Sequence, residues 1–143
     1  MTDPIDIAKR NMEAFNTGDW GAFRATSAPD GVEEEIATGR HLQGVDAIVE
    51  AAQGWKQAFP NARGSVRHAT ACGNTVTLEV TWEGTHSGNL ATEQGTIPPS
   101  GKQVTVPAAL VMEVQGDKIK ATRHYFDLLG MMTQIGAVPA RAS

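Results

Sequence analysis

Midway along the chain, near Pro60-Asn61, the spacing of apolar residues changes from helical to alternating, and it stays alternating until the last few residues. Before that point Ile5, Ala8, Met12 and Phe15 recur at helical intervals, with Asp3 placed to cap the helix and Pro4 at its first position. Thr17-Gly18 ends this segment, and Asp19 can cap a short second helix carrying Trp20 and Phe23. Ala28-Pro29-Asp30-Gly31 has the chemistry of a turn, and Val32–Thr38, with its three glutamates, reads as a short, weakly patterned strand. Val45–Phe59 is the main packing helix: Asp46 can cap it, and Ile48, Ala52, Trp55 and Phe59 form one stripe.

Beyond the change, Ser65–Ala71 and Thr75–His86 alternate, most clearly at Val76, Leu78, Val80 and Trp82, around a Gly73-Asn74 turn. Gln103–Val114 and Lys118–Phe126 form a second hairpin about Gln115-Gly116-Asp117. Asn89–Lys102 reads as a long, lid-like connection, and Leu128–Ile135 as a short terminal helix. Helices followed by antiparallel strands specify an α+β layer architecture, with a curved sheet whose concave side carries the helices. Such a cone leaves a cavity between its layers, the kind of concave, mostly apolar place that small ligands occupy.

At 143 residues the chain is expected to be one domain, residues 1–143, with 137–143 a frayed tail. Twelve Lys and Arg against sixteen Asp and Glu give a net charge of −4 with no basic run, which argues against nucleic acid as a partner. The single cysteine, Cys72, cannot form an internal disulfide, and no CxxC or Cys/His cluster offers a zinc site. No basic, apolar leader opens the sequence and no stretch has the length of a membrane span, so a cytosolic setting without membrane attachment is expected.

Local catalytic signatures fail. Gly95–Lys102 superficially resembles a phosphate loop, but its glycine spacing is one too long, two prolines interrupt it and Gln103 stands where Ser or Thr would hold magnesium. HExxH, GxSxG and GxGxxG are absent. The histidines, His41, His68, His86 and His124, have no metal-ligand spacing, and His68 reads as a surface or edge residue. Neither a metal nor an organic cofactor is expected; chemistry by side chains alone, or binding alone, remains.

The richest stretch is Arg123-His124-Tyr125-Phe126-Asp127, where two titratable groups three residues apart lie beside aromatic rings at a strand end. Strict alternation places His124 and Asp127 on opposite faces unless Asp127 turns inward, and the competing reading of Asp127 is the N-cap of the terminal helix. Phe15, Trp20, Trp55, Phe59, Trp82, Tyr125 and Phe126, with His41, His86 and Met112, are the candidate ligand-contacting residues. The competing reading of the aromatics is ordinary core.

In order along the chain, Ala14-Phe15-Asn16-Thr17-Gly18-Asp19-Trp20, Trp55-Lys56-Gln57-Ala58-Phe59-Pro60-Asn61, Gly84-Thr85-His86-Ser87-Gly88, Ile97-Pro98-Pro99-Ser100-Gly101-Lys102, and Asp127 followed by Gln134-Ile135-Gly136 resemble the SnoaL-like polyketide cyclases. These belong to the nuclear-transport-factor-two-like superfamily, also described as cystatin-like. The resemblance implies a cone-shaped α+β barrel of mostly antiparallel strands wrapped around the N-terminal helices, a deep apolar cavity and a homodimer or homotetramer. It also implies cofactor-free closure of a ring in a hydrophobic polyketide ester by intramolecular aldol condensation. The acid/base it implies is an aspartate of the final strand region, which falls on Asp127 or, with a slip along the strand, on the place of His124. The histidine that some cyclases hold near that aspartate is missing from Ala108–Glu113.

An aspartate serves such a reaction only if an apolar pocket lifts its pKa from near 3.9 toward neutrality. Trp82, Tyr125 and Phe126 are the residues expected to do so, with His124, His86 or Tyr125 donating to the oxygen that becomes negative. Two other readings share the fold: a non-catalytic carrier of an apolar metabolite, and an isomerase or epoxide hydrolase, the latter without a visible Asp/Arg/Asp set.

Overall fold

The computed structural model describes residues 3–138. Helix α1 spans Pro4–Thr17, and the Asp3 carboxylate accepts the Ile5 N–H at its start. Gly18, at φ 69°, closes it in the left-handed conformation that glycine adopts without a Cβ clash. Asp19 then caps α2, Trp20–Ala25, by accepting the Ala22 N–H. The remaining elements are β1 (Ser27–Glu35), β2 (Arg40–Gln43), α3 (Val45–Ala58), β3 (Arg63–Cys72), β4 (Thr75–Thr85), β5 (Leu90–Thr92), β6 (Gly95–Ile97), β7 (Gln103–Gln115), β8 (Lys118–Phe126) and α4 (Leu128–Gln134).

Six strands form one sheet in the order β2-β1-β8-β7-β4-β3, antiparallel throughout except where β1 runs parallel to β8. The α+β architecture with helices over a curved sheet is the expected one. The sheet does not close into a barrel, however: β2 and β3 are edge strands with one neighbour each, and closure would require them to pair.

Four local expectations change. Ala28–Gly31 is not a free turn but part of β1, whose register against β8 shifts between Ser27 and Val32; Pro29, which cannot donate to a ladder, is accommodated at that irregularity. The strand expected over Val32–Thr38 ends at Glu35. Gly44, not Asp46, is the N-cap of α3, and Asp46 in the first turn pairs instead with Arg24 at 2.7 Å. The Asn89–Lys102 connection contains a small antiparallel ribbon, β5 with β6. Of the expected tail, residues 139–143 lie outside the described ones.

Period-two alternation sends Val76, Leu78 and Val80 of β4 inward, where they are at most 2% exposed. They meet Ile7, Ala8 and Met12 of α1, together with Leu110 and Met112 of β7, in the largest apolar cluster. A second cluster joins the end of α3 to β7 and α4 through Phe59, Val104, Val106 and Met131. A third joins α1, α2 and α3 through Ala14, Phe23, Ile48 and Val49. Residues from all three line the space that they leave between them.

Candidate active site

That space is a cavity of about 130 Å³, walled by Phe15, Phe23, Trp55, Phe59, Trp82 and Phe126 and floored by β7 through Val106, Leu110 and Met112. Its titratable groups are Glu33 and Glu35 of β1, His124 of β8 and the exposed Glu83 of β4, and α1 adds the buried Asn11. Glu33 and Glu35, two residues apart on β1, share the inward face, and β8 supplies His124. Glu33 stands opposite Thr122 and Glu35 opposite His124 in the parallel pairing of β1 and β8.

The two glutamates are in opposite electrostatic situations. Glu35 is 1% exposed and accepts four hydrogen bonds: from Arg40 Nε and Nη2, each at 3.0 Å, from Trp55 Nε1 at 2.9 Å and from Thr38 Oγ1 at 2.6 Å. Burial alone would raise its pKa, but the donors of Arg40, Thr38 and Trp55 outweigh it and hold the carboxyl below its ordinary value. Glu35 is therefore a fixed anion. Glu33, partly buried at the wall, has no hydrogen-bond or ion-pair partner among the described residues. Burial first, and then the charge on Glu35, push its pKa up to about 7, only partly offset by Arg40. A carboxyl that titrates near neutrality inside an apolar cavity is suited to move a proton in either direction.

His124 Nε2 accepts the Trp82 indole N–H at 3.1 Å, and the imidazole lies against the Phe126 ring at 4.9 Å between centroids. Burial lowers its pKa to about 4 against the opposing pull of Glu35, so the ring is neutral at physiological pH.

Among the expected ligand-contacting residues, Phe15, Trp55, Phe59, Trp82, Met112 and Phe126 line the cavity with His124. The others do not. Trp20 packs edge-on to Phe15 and Phe23 beside the cavity. His41 is exposed on β2, and Tyr125, 43% exposed, points from the opposite face of β8. His86 is fully buried behind Phe59, its Nδ1 accepting the Ser100 backbone N–H at 3.2 Å. Asp127 is exposed, and its Oδ1 accepts the Gly130 N–H at 2.8 Å as the N-cap of α4. The alternation that carries His124 inward carries Asp127 past the strand end, and the structure does not bring the two together in the cavity.

Glu33 and Glu35 escape a reading of the sequence because three consecutive glutamates look like a solvated face. The signal available is their i, i+2 spacing with Glu34 exposed between them. Phe23, Ile48 and Ala52, which the sequence marks only as packing residues of their helices, are further wall residues, as is Asn11, which it does not single out. Among the described residues no group of three or more His, Cys, Asp or Glu is arranged to hold a metal ion, and no helix is long and apolar enough to cross a membrane.

A profile of the SnoaL-like polyketide cyclase family matches residues 5–135. No curated protein is significantly similar in sequence. Solved structures of similar fold include a chain classed as a SnoaL-like polyketide cyclase from Jannaschia sp. CCS1, with TM-score 0.83 and 22% identity over 95% of this chain and 93% of that one. IdmH from Streptomyces antibioticus, classed as a polyketide cyclase, gives TM-score 0.80 and 23% identity over 94% and 99%. A Catenulispora acidiphila protein with a ketosteroid isomerase-like fold, solved with trimethylamine, gives TM-score 0.78 and 21% identity over 93% of each chain. At these identities the likeness is one of fold.

Proposed function

This chain belongs to the SnoaL-like polyketide cyclase family, and from that premise we propose that it closes a ring in an uncharged, apolar polyketide-type ester by acid–base catalysed intramolecular aldol condensation. The observation that carries this reading is the unpartnered Glu33 carboxyl on the wall of an aromatic-lined cavity, beside the fixed anion Glu35.

In this reading Glu33, ionised, takes a proton from the carbon between two carbonyl groups, and the C–H electron pair passes into an enolate. His124, neutral, donates a hydrogen bond to the enolate oxygen. The enolate carbon attacks a ketone or aldehyde held in the same cavity, a C–C bond forms, and the new alkoxide takes back the proton from Glu33. Substrate and product are isomers, and Glu33 ends ionised as it began. Holding both ends of one flexible chain in the cavity removes an entropic part of the barrier that reaches about 7–11 kcal/mol in well-oriented cases.

Three glutamates line the cavity, Glu33, Glu35 and the exposed Glu83, while Arg40 is engaged by Glu35 and Lys56 donates to the backbone carbonyls of Asn16 and Ala62. Uncharged ligands are therefore favoured over anionic ones. The acid/base role moves from Asp127, the residue implied by the family resemblance, to Glu33, because the Asp127 carboxylate is spent on a helix cap.

Proton NMR of deuterium exchange into a panel of β-keto esters, with wild type and Glu33→Gln in parallel, tests the reading. Exchange catalysed by wild type and lost in the variant supports it. Exchange lost in Asp127→Asn but not in Glu33→Gln overturns the assignment, and ligand binding without exchange favours the carrier reading.

A further inference from the structure

We infer that Trp82 locks His124 in the tautomer that carries its proton on Nδ1, and so turns His124 into a permanent uncharged hydrogen-bond donor toward the cavity. The inference rests on the reading above only for what the donor is used for.

A neutral imidazole has one N–H and one lone-pair nitrogen, whereas an indole N–H can only donate. With Trp82 Nε1 at 3.1 Å from His124 Nε2, Nε2 must be the lone-pair nitrogen and the proton must sit on Nδ1. The depressed basicity of the buried ring keeps it from taking a second proton at neutral pH. Nδ1 has no hydrogen-bond partner among the described residues, yet it is not sealed off, since the buried side-chain nitrogen or oxygen left without a partner among them is His86 Nε2. His124 lines the cavity, so this N–H is open to a ligand acceptor there.

Trp82 is itself firmly placed. Its ring meets Phe15 of α1 edge-on at 5.2 Å, and it stands opposite Gly64 of β3, where any Cβ would fall 2.8 Å from the indole. Gly64 thus leaves the room that the indole occupies. Two consequences follow for the site. Because Nε2 is occupied, His124 cannot act as a base without breaking its bond to Trp82, which leaves Glu33 as the proton acceptor on that face. Because the donor is uncharged, it strengthens as an oxyanion develops without first stabilising an anionic ground state. Trp82 is then a positioning residue, acting through His124.

The test uses the full chain labelled with ¹⁵N, with Trp82 replaced site-specifically by β-(3-benzothienyl)alanine, which keeps the bicyclic shape and replaces N–H by sulfur. Trp82→Phe is a second variant. Long-range ¹H–¹⁵N correlation of the imidazole, assigned by loss of the signal in His124→Gln, reads the tautomer without any ligand. The expected result is Nδ1–H in wild type and a change to predominantly Nε2–H in the isostere. Nε2–H in wild type, or Nδ1–H surviving in the isostere, overturns the inference. In parallel, exchange of ethyl 2-methylacetoacetate is expected to slow roughly 10²-fold in the isostere, the loss typical of one oxyanion donor, with KM little changed. A shifted tautomer with an unaltered exchange rate would overturn the positioning role. If wild type catalyses no exchange at all, the carbon-acid reading fails, while the tautomer still decides this inference.

Discussion

The inward face of the sheet is built in two ways. Toward α1, β4 presents Val76, Leu78 and Val80, each at most 2% exposed, and Ile7 and Ala8 of the helix pack against them away from the cavity. Toward α3, the neighbouring strands β1 and β8 present Glu33, Glu35 and His124, and the layers stand apart around a cavity. Alternation turns side chains inward whatever their polarity. What differs is whether the helix layer can cover them: apolar groups gain from close cover, whereas an acid without a partner must be left space and solvent. One end of the face therefore contributes stability, and the other gives some up to keep a titratable group unpaired.

The sharpest way to break this comparison is Glu33→Gln, which is expected to lower carbon-acid exchange roughly 10²- to 10⁴-fold, the usual worth of a general base, with an unchanged circular dichroism spectrum. In wild type kcat/KM should rise through about pH 7 as Glu33 ionises, and His124, which titrates near 4, should add no step above pH 5. A profile flat from pH 5 to 9 would remove Glu33 from the mechanism. Leu78→Ala at the filled end should cost about 2–5 kcal/mol in urea denaturation by leaving a void, with exchange activity retained in the folded fraction. Arg40→Ala strips the buried Glu35 of its counter-charge and should cost about 3 kcal/mol, toward the low end for a buried pair because the Arg40 side chain is 37% exposed.

The cavity end should also betray itself in the pH dependence of stability. Glu33 has a folded pKa of about 7 against an ordinary 4.5, so between those values the folded state binds more protons than the unfolded one. Stability then falls as pH rises from 4.5 through 7, by about 1–3 kcal/mol after allowing for solvent at the cavity wall. Glu33→Gln should flatten this slope in denaturation curves at pH 5 and 8; an unchanged slope would mean that another group is responsible. The smallest effect belongs to Asp127. Loss of its cap in Asp127→Ala should cost about 1 kcal/mol, Asp127→Asn should cost almost nothing because asparagine caps equally well, and both should exchange β-keto esters at the wild-type rate.

The filled end was the legible one. Val76, Leu78, Val80 and the stripe of α1 announce themselves through period and propensity, as do the caps at Asp3 and Asp19. The aromatic walls were legible in part, since Phe15, Trp55, Trp82 and Phe126 are ambiguous between core and pocket: all four line the cavity, and the first three also pack against the core clusters. What escaped was β1. Its Pro29-Asp30 bulge imitates a turn, and its glutamates imitate a solvated run, because burial of Glu33 and Glu35 depends on pairing with β8, far away in sequence. Asp127 shows the converse: local chemistry allowed two roles, and the helix end that begins at Leu128 selected the cap.

The parallel pairing of β1 with β8 also determines when, during folding, a site can exist. Glu35 and His124 become neighbours only when β8 docks beside β1, a contact that closes a far longer loop, at greater entropic cost, than the local β3–β4 and β7–β8 hairpins. A nascent chain that has emerged only as far as β7 holds both glutamates and most of the apolar core, yet lacks the strand that carries His124. The full set of cavity-facing titratable groups on β1 and β8 is thus assembled only once β8 has docked beside β1.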